Sequence, residues 1–188
     1  MPATRLTLIA HASIQDRKRE RFALDEPLQM AWQQAQLSRA QRFKRAPHLL
    51  CGPEVRTWQT ALLFGEHPQV EEALRDCDLG RWRGQGLDEV QQVEPDALQA
   101  WLTDATAAPH GGESVEQLCE RVGQWLQSLE QTAGHVLAVT HPFVIRAALL
   151  YVTQGPLAMF NRIDVEPLSS TELRFNNVWR LRLETRET

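Results

Sequence analysis

Leu6-Thr7-Leu8-Ile9-Ala10-His11 and Val136-Leu137-Ala138-Val139-Thr140-His141 are the two stretches that decide the fold of this chain. Each is a short apolar run that stops at a histidine. Short runs rich in leucine and β-branched residues are expected as buried strands of an α/β sheet. If the two strands are parallel, both histidines emerge at the carboxyl edge, where open α/β sheets place their ligand crevices. Two imidazoles drawn together from opposite ends of a chain suit one site working near neutral pH.

Outward from these runs, strand and helix signals alternate. A strand over Arg5–Ala10 leads into a basic stretch with Arg17, Lys18, Arg19 and Arg21. Asp25-Glu26-Pro27 announces a helix carrying Leu28, Ala31, Trp32, Ala35 and Leu37 at helical spacing. A strand at His48–Cys51 breaks at Gly52-Pro53, and a helix follows through Val55, Ala61, Leu62 and Leu63. Residues 65–112 are irregular, with helical pieces at Leu87–Val93 and Ala97–Leu102, and irregular segments on a rigid scaffold often carry function. Ser114 caps an amphipathic helix whose stripe is Val115, Leu118, Cys119, Val122, Trp125, Leu126 and Leu129, with Gln117 completing a capping box and Gly134 as the stop. After the 136–140 strand come a helix over Val144–Tyr151 and strands at Glu172–Phe175 and Val178–Leu183. The polar tail from 184 to 188 is expected to fray. No repeat or linker divides residues 1–188, which read as a single domain.

Composition narrows the class. With 188 residues the chain can bury a substantial core, and a net charge of -4 argues against a nucleic-acid surface. Cys51, Cys77 and Cys119 are too few and too scattered for a disulfide framework or a zinc site, and read as free thiols of a reducing compartment. No apolar run approaches the roughly 20 residues that span a membrane, and Arg5 interrupts any secretory h-region. The expected location is the cytoplasm, without nucleic-acid or membrane partners.

The chemistry starts from Arg56. It follows the second strand, in the first turn of its helix, and so also points to the carboxyl edge. A guanidinium beside free helix N–H groups makes an anion site. With His11 and His141 the constellation suits a phosphate ester: one neutral imidazole attacks phosphorus while a protonated one holds the oxygens. A carboxylic acid must still protonate the departing alcohol, and Asp76, Asp78 and Glu113 are the candidates. No two potential ligands sit at a standard metal spacing, so a metal is not expected. Gly80, Gly84 and Gly86 form no phosphate-cradling Walker loop, because no Gly-Lys-Ser/Thr follows them.

These segments together resemble the histidine phosphatase superfamily, in the branch of cofactor-dependent phosphoglycerate mutases, fructose-2,6-bisphosphatases and alpha-ribazole phosphatases. Ile9-Ala10-His11-Ala12-Ser13 stands where the family has Arg-His-Gly, and Asp25-Glu26-Pro27-Leu28 matches Asp-x-Pro-Leu. Gly52 to Ala61 matches the segment with the second arginine four residues before Thr-Ala. Leu74 to Gly84 resembles Leu-x-Glu-x-x-x-Gly-x-Trp-x-Gly, and Gly111 to Ser114 and Val139 to Ala147 complete the series. The resemblance runs from Leu6 to about Phe175. It implies a three-layer α/β/α sandwich with a mostly parallel central sheet. It further implies that His11 is the nucleophile forming phosphohistidine, that Arg56 and His141 clamp the phosphoryl oxygens, and that Asp76 stands at the general acid's position.

Four departures fall inside the pocket so implied. Ala10 replaces an arginine, Ala12 a glycine, Asp76 a longer glutamate, and Pro142-Phe143 small residues, removing an N–H and adding bulk. Arg17 or Arg21 could fold back to supply the missing charge, or the stretch could simply face water. Ser13, His110 and Glu113 are further pocket candidates, with Glu113 either orienting an arginine or favouring the start of its helix. Trp82 and Trp101 are expected as core cover, and His48, His67 and His135 as ordinary histidines. Two function classes follow: a metal-independent phosphomonoesterase acting on a small phosphorylated metabolite, or a catalytically impaired domain that binds a phosphorylated ligand or protein. Either a monomer or a homodimer paired through the 178–183 edge is compatible with the pattern.

Overall fold

In the computed structural model, residues 3–13, 21–22, 24–28 and 48–183 are described. The expected helix after Pro27, the basic residues Arg17, Lys18 and Arg19, and the 184–188 tail lie outside them. The described elements are β1 (Thr4–Ala10), β2 (His48–Cys51), α1 (Val55–Ala61), β3 (Gln69–Val70), α2 (Leu87–Val93) and α3 (Pro95–Thr103). They continue with α4 (Val115–Leu129), β4 (Gly134–Thr140), α5 (Pro142–Thr153), β5 (Ser170–Asn176) and β6 (Val178–Arg182).

The strands form one sheet in the order β3-β2-β4-β1-β5-β6. The first four are mutually parallel, β5 pairs antiparallel with β1, and β6 antiparallel with β5, which is the mostly parallel sheet the sequence implies. β1 and β4 are direct neighbours, because both are apolar on each face and only the sheet centre buries both faces. Their register pairs Ala10 with Thr140. His11 and His141 therefore leave the same edge side by side, and the His11 amide donates to the Thr140 carbonyl at 2.9 Å.

Period-two alternation sorts the core. Leu6, Leu8, Ala10, Val136 and Ala138 face α4 and α5, while Ile9, Leu137 and Val139 join Cys51, Ala61 of α1, Leu28 and Leu168 on the opposite face. Helices thus cover both sides of the sheet. The α4 stripe of Val115, Leu118, Val122, Trp125, Leu126 and Leu129 is buried as its spacing predicts. At about 1.5–3 kcal/mol per buried large side chain, this face and not helix propensity holds α4 in place. The capping box also forms: the Gln117 amide donates to Ser114 Oγ at 3.2 Å, and the Ser114 amide to Gln117 Oε1 at 2.9 Å.

One detail differs from the pattern reading, and two others refine it. Helix α4 already ends at Leu129, and Gly134 instead opens β4 with φ +106°. Residues 65–112 hold two consecutive helices, with Pro95 starting the second. The last two strands form a hairpin through Asn177, whose φ of 62° suits an asparagine. Among the described residues no helix is long and apolar enough to cross a membrane.

Candidate active site

His11 and His141 meet edge to face, with ring centroids 5.1 Å apart. His11 Nδ1 lies 2.8 Å from the Ala12 carbonyl oxygen. A carbonyl only accepts, so Nδ1 carries the proton and Nε2 keeps its lone pair. The loop behind the ring is fixed by Thr60, whose hydroxyl accepts the Ala12 amide at 3.0 Å and donates to the Arg56 carbonyl at 2.7 Å. Burial, followed by the charges of His141 and Arg56, pushes His11 down to about 3. The ring is therefore neutral across the physiological range, the form a nucleophilic nitrogen requires.

Arg56 projects from the first turn of α1 and is only 2% exposed. Its Nη1 donates to the Leu24 carbonyl at 2.6 Å and its Nη2 to Asp76 Oδ2 at 2.6 Å. Asp25 stands 3.8 Å from the same guanidinium. Asp76 Oδ2 also lies 3.4 Å from His141 Nδ1. Burial alone would raise Asp76, but the charges of His141 and Arg56 hold it below the usual carboxylate range. His141 is fully buried as the N-cap residue of α5.

The group that sequence reasoning missed is Glu54. Its Oε2 lies 2.7 Å from His141 Nε2, and its Oε1 accepts the Asp76 amide at 2.9 Å. Burial would raise this carboxyl, but the hydrogen bond and charge of His141, helped by the Asp76 N–H, bring it down to about 2. The available signal was its position: an acid at the N-cap of the helix that carries Arg56, at the carboxyl end of a central strand. Glu54, Arg56, Asp76 and Asp78 line one cleft of about 240 Å³ with Arg75 and Arg83.

The remaining candidates fall at different depths. Glu113 does orient an arginine. Its carboxylate takes both Arg121 Nε (2.8 Å) and Nη2 (2.7 Å), and Arg121 Nη1 in turn donates to the carbonyls of Ala73 (2.7 Å) and Arg75 (3.2 Å). This pair braces the 73–78 loop that presents Asp76, a role that Arg121 gave no sequence signal for. Gly112 closes the same joint: a Cβ there would sit 2.0 Å from the Asp78 carbonyl oxygen. His110 is buried against Trp82 and Trp101, with centroids 5.0 and 6.3 Å away, and its Nδ1 accepts the Gly112 amide at 3.0 Å. It packs in this aromatic cluster. Ser13 is buried. Arg21 pairs with Glu26 at 2.7 Å.

One of the four sequence departures, Pro142-Phe143, acquires a physical account. Pro142 occupies the first position of α5, where no intrahelical N–H is needed. The bulk of Phe143 goes into packing with Trp101 (6.1 Å) and Phe160 (5.4 Å), under the Arg146 guanidinium at 5.3 Å, and not into the pocket. Ala10 is fully buried in the core. Among the described residues no cluster of side chains is arranged to hold a metal.

Residues 7–184 match the model of the histidine phosphatase superfamily, branch 1. The chain belongs to that superfamily. Within the family, a glucosyl-3-phosphoglycerate phosphatase of Mycobacterium tuberculosis is 37% identical over 83 residues, 42% of this chain and 37% of that protein. A 6-phosphofructo-2-kinase/fructose-2,6-bisphosphatase of Caenorhabditis elegans is 32% identical over 123 residues, 64% of this chain and 26% of its own length. The chain thus spans well under half of these curated relatives. Among solved structures, a mycobacterial glucosyl-3-phosphoglycerate phosphatase in complex with VO3 superposes with a TM-score of 0.83 at 25% identity, covering 95% of this chain and 97% of that one. YhfR of Bacillus stearothermophilus reaches a TM-score of 0.85 at 23% identity, over 96% of each chain, which speaks for the fold.

Proposed function

We propose that the chain is a metal-independent phosphomonoesterase that hydrolyses a small phosphorylated metabolite through phosphohistidine at His11. The observation that carries this reading is the neutral His11, with Nδ1 tied to the Ala12 carbonyl and the Nε2 lone pair free to attack. Arg56 and His141 stand beside it as the groups to receive phosphoryl oxygens. In the first step His11 Nε2 bonds to phosphorus as the ester oxygen leaves. Arg56 and His141 meet the charge that develops on the equatorial oxygens. Asp76 is the acid candidate for the leaving alcohol, although in the resting site it is ionised on Arg56 and must first acquire a proton. Water then attacks phosphohistidine and releases phosphate, so no metal or organic cofactor enters the cycle. The phosphatase names of the relatives and the complex of one of them with VO3 support a small phosphorylated substrate.

The test is hydrolysis of a generic aryl phosphate between about pH 5 and 8 in the presence of a chelator. The expected result is turnover that disappears in His11→Ala, with acid-labile phosphate trapped on the wild-type protein at His11. One structural fact favours a second reading. Arg56 and His141, the prospective phosphate-binding groups, are both already paired with carboxylates, and Ala10 brings no further cation. Vanadate binding without turnover would establish a phosphate-binding domain instead of an enzyme.

A further inference from the structure

We infer that Glu54 occupies the phosphoryl-binding face of His141 as an internal anion, and that a phosphate dianion enters only as Glu54 takes up a proton from solvent. This rests on the reading of the cleft as a phosphate site. It deepens that reading by assigning a role to a residue the reaction scheme leaves unused.

The geometry carries the argument. Glu54 Oε2 sits 2.7 Å from His141 Nε2, the ring nitrogen on the side away from Asp76, so a phosphoryl oxygen cannot reach that nitrogen while the carboxylate is there. Arg56 is similarly engaged, with Nη2 on Asp76 and Nη1 on the Leu24 carbonyl. The inner site therefore sets Arg56 and His141 against two carboxylates, with His11 neutral between them. Among the described residues, the charged side chains Arg75, Asp78 and Arg83 line the same cleft as Glu54. Cys51 lies below it at the strand end, its thiol pushed up to about 11 by burial and by Glu54 itself.

When a dianion displaces Glu54 from His141, the carboxylate loses its strongest donor and keeps the backbone N–H groups of Asp76 and of Glu54 itself. Its side chain is 16% exposed, so water does little to replace the lost partner. It then faces the incoming dianion across a few ångströms. Like charges sharing a desolvated site do not both stay ionised, and the weaker acid takes the proton. The balance is one carboxylate, one dianion and one solvent proton giving one carboxylic acid hydrogen-bonded to the dianion. Burial already favours the neutral form of Glu54, and His141 is the largest influence opposing it, followed by the Asp76 amide and the Glu54 backbone amide. The exchange removes the largest of these.

The experiment is calorimetric titration with tungstate, a tetrahedral dianion that does not itself protonate near neutrality. It is run at about pH 7.5 in buffers of different ionisation enthalpy and repeated across pH. The expected result is uptake of about one proton per anion and an affinity that weakens about tenfold per pH unit as pH rises. In Glu54→Gln the uptake falls towards zero, the affinity at about pH 7.5 tightens, and the pH slope flattens. The wild-type buffer dependence needs no variant, so the inference stands or falls even if Glu54→Gln folds poorly. Binding of tungstate without proton uptake overturns this inference and leaves the phosphate site intact. Uptake retained in a folded Glu54→Gln protein overturns the assignment to Glu54. No binding at any pH overturns the phosphate-site reading itself.

Discussion

Replacing Glu113 by alanine separates a buried, bracing ion pair from a surface one. The Glu113 side chain is 9% exposed and that of Arg121 is 13%, and the two bond through both carboxylate oxygens. A desolvated bidentate pair differs from an exposed one, which is worth at most about 1 kcal/mol. Removing one partner leaves the other charge buried and uncompensated, at a cost of about 3–5 kcal/mol. For a chain of this size that loss lowers the thermal midpoint by about 6–20 °C. Arg121 would keep its bonds to the Ala73 and Arg75 carbonyls but lose the anion that aims it. The 73–78 loop then loosens, and under the proposed mechanism hydrolysis is expected to fall with the placement of Asp76. Glu113→Gln preserves shape and one acceptor, and is expected to lie between. The assay is urea or thermal unfolding of the Glu113→Ala, Arg121→Ala and double variants as a mutant cycle. A loss below about 1 kcal/mol for Glu113→Ala, or no coupling between the two, would refute the bracing argument.

Acid stability reports on His11. Its folded value of about 3 lies below the unfolded one of about 6.5, so in that window the unfolded chain binds a proton that the folded chain does not, and stability falls as pH drops. Comparing unfolding at about pH 7 and 5, His11→Asn is expected to lose about 2 kcal/mol less than the wild type; equal losses would contradict a neutral ring. Thr60→Val strands the Ala12 amide and is expected to cost about 1–3 kcal/mol by chemical denaturation, with slower hydrolysis because the His11 loop loses its anchor. Trp82, fully buried between Phe22 (5.7 Å) and Trp101 (6.0 Å), is expected to cost about 3–5 kcal/mol when truncated to alanine, seen as a lower thermal midpoint.

Much of this protein follows from local pattern. The apolar runs at 6–10 and 136–140 can only be stable with both faces covered, which places them at the sheet centre and puts His11 and His141 on one edge. The α4 stripe and its Ser114–Gln117 cap are likewise set by residues a few positions apart, as is the placement of Arg56 in the first turn of its helix. What tertiary structure decided is the state of those groups. Glu54 and His141 are 87 positions apart, and nothing local predicts that a loop carboxylate meets an imidazole from another strand. Arg121 lies mid-helix, and its role exists only because α4 packs beneath the 73–78 loop. The destination of Phe143 depended on the aromatic cluster that receives it. Sequence spacing determines which side chains reach the edge, because strand and helix periods are local geometry. Which of them are paired, ionised or buried depends on partners supplied by distant segments, through desolvation and charge that only the assembled fold creates.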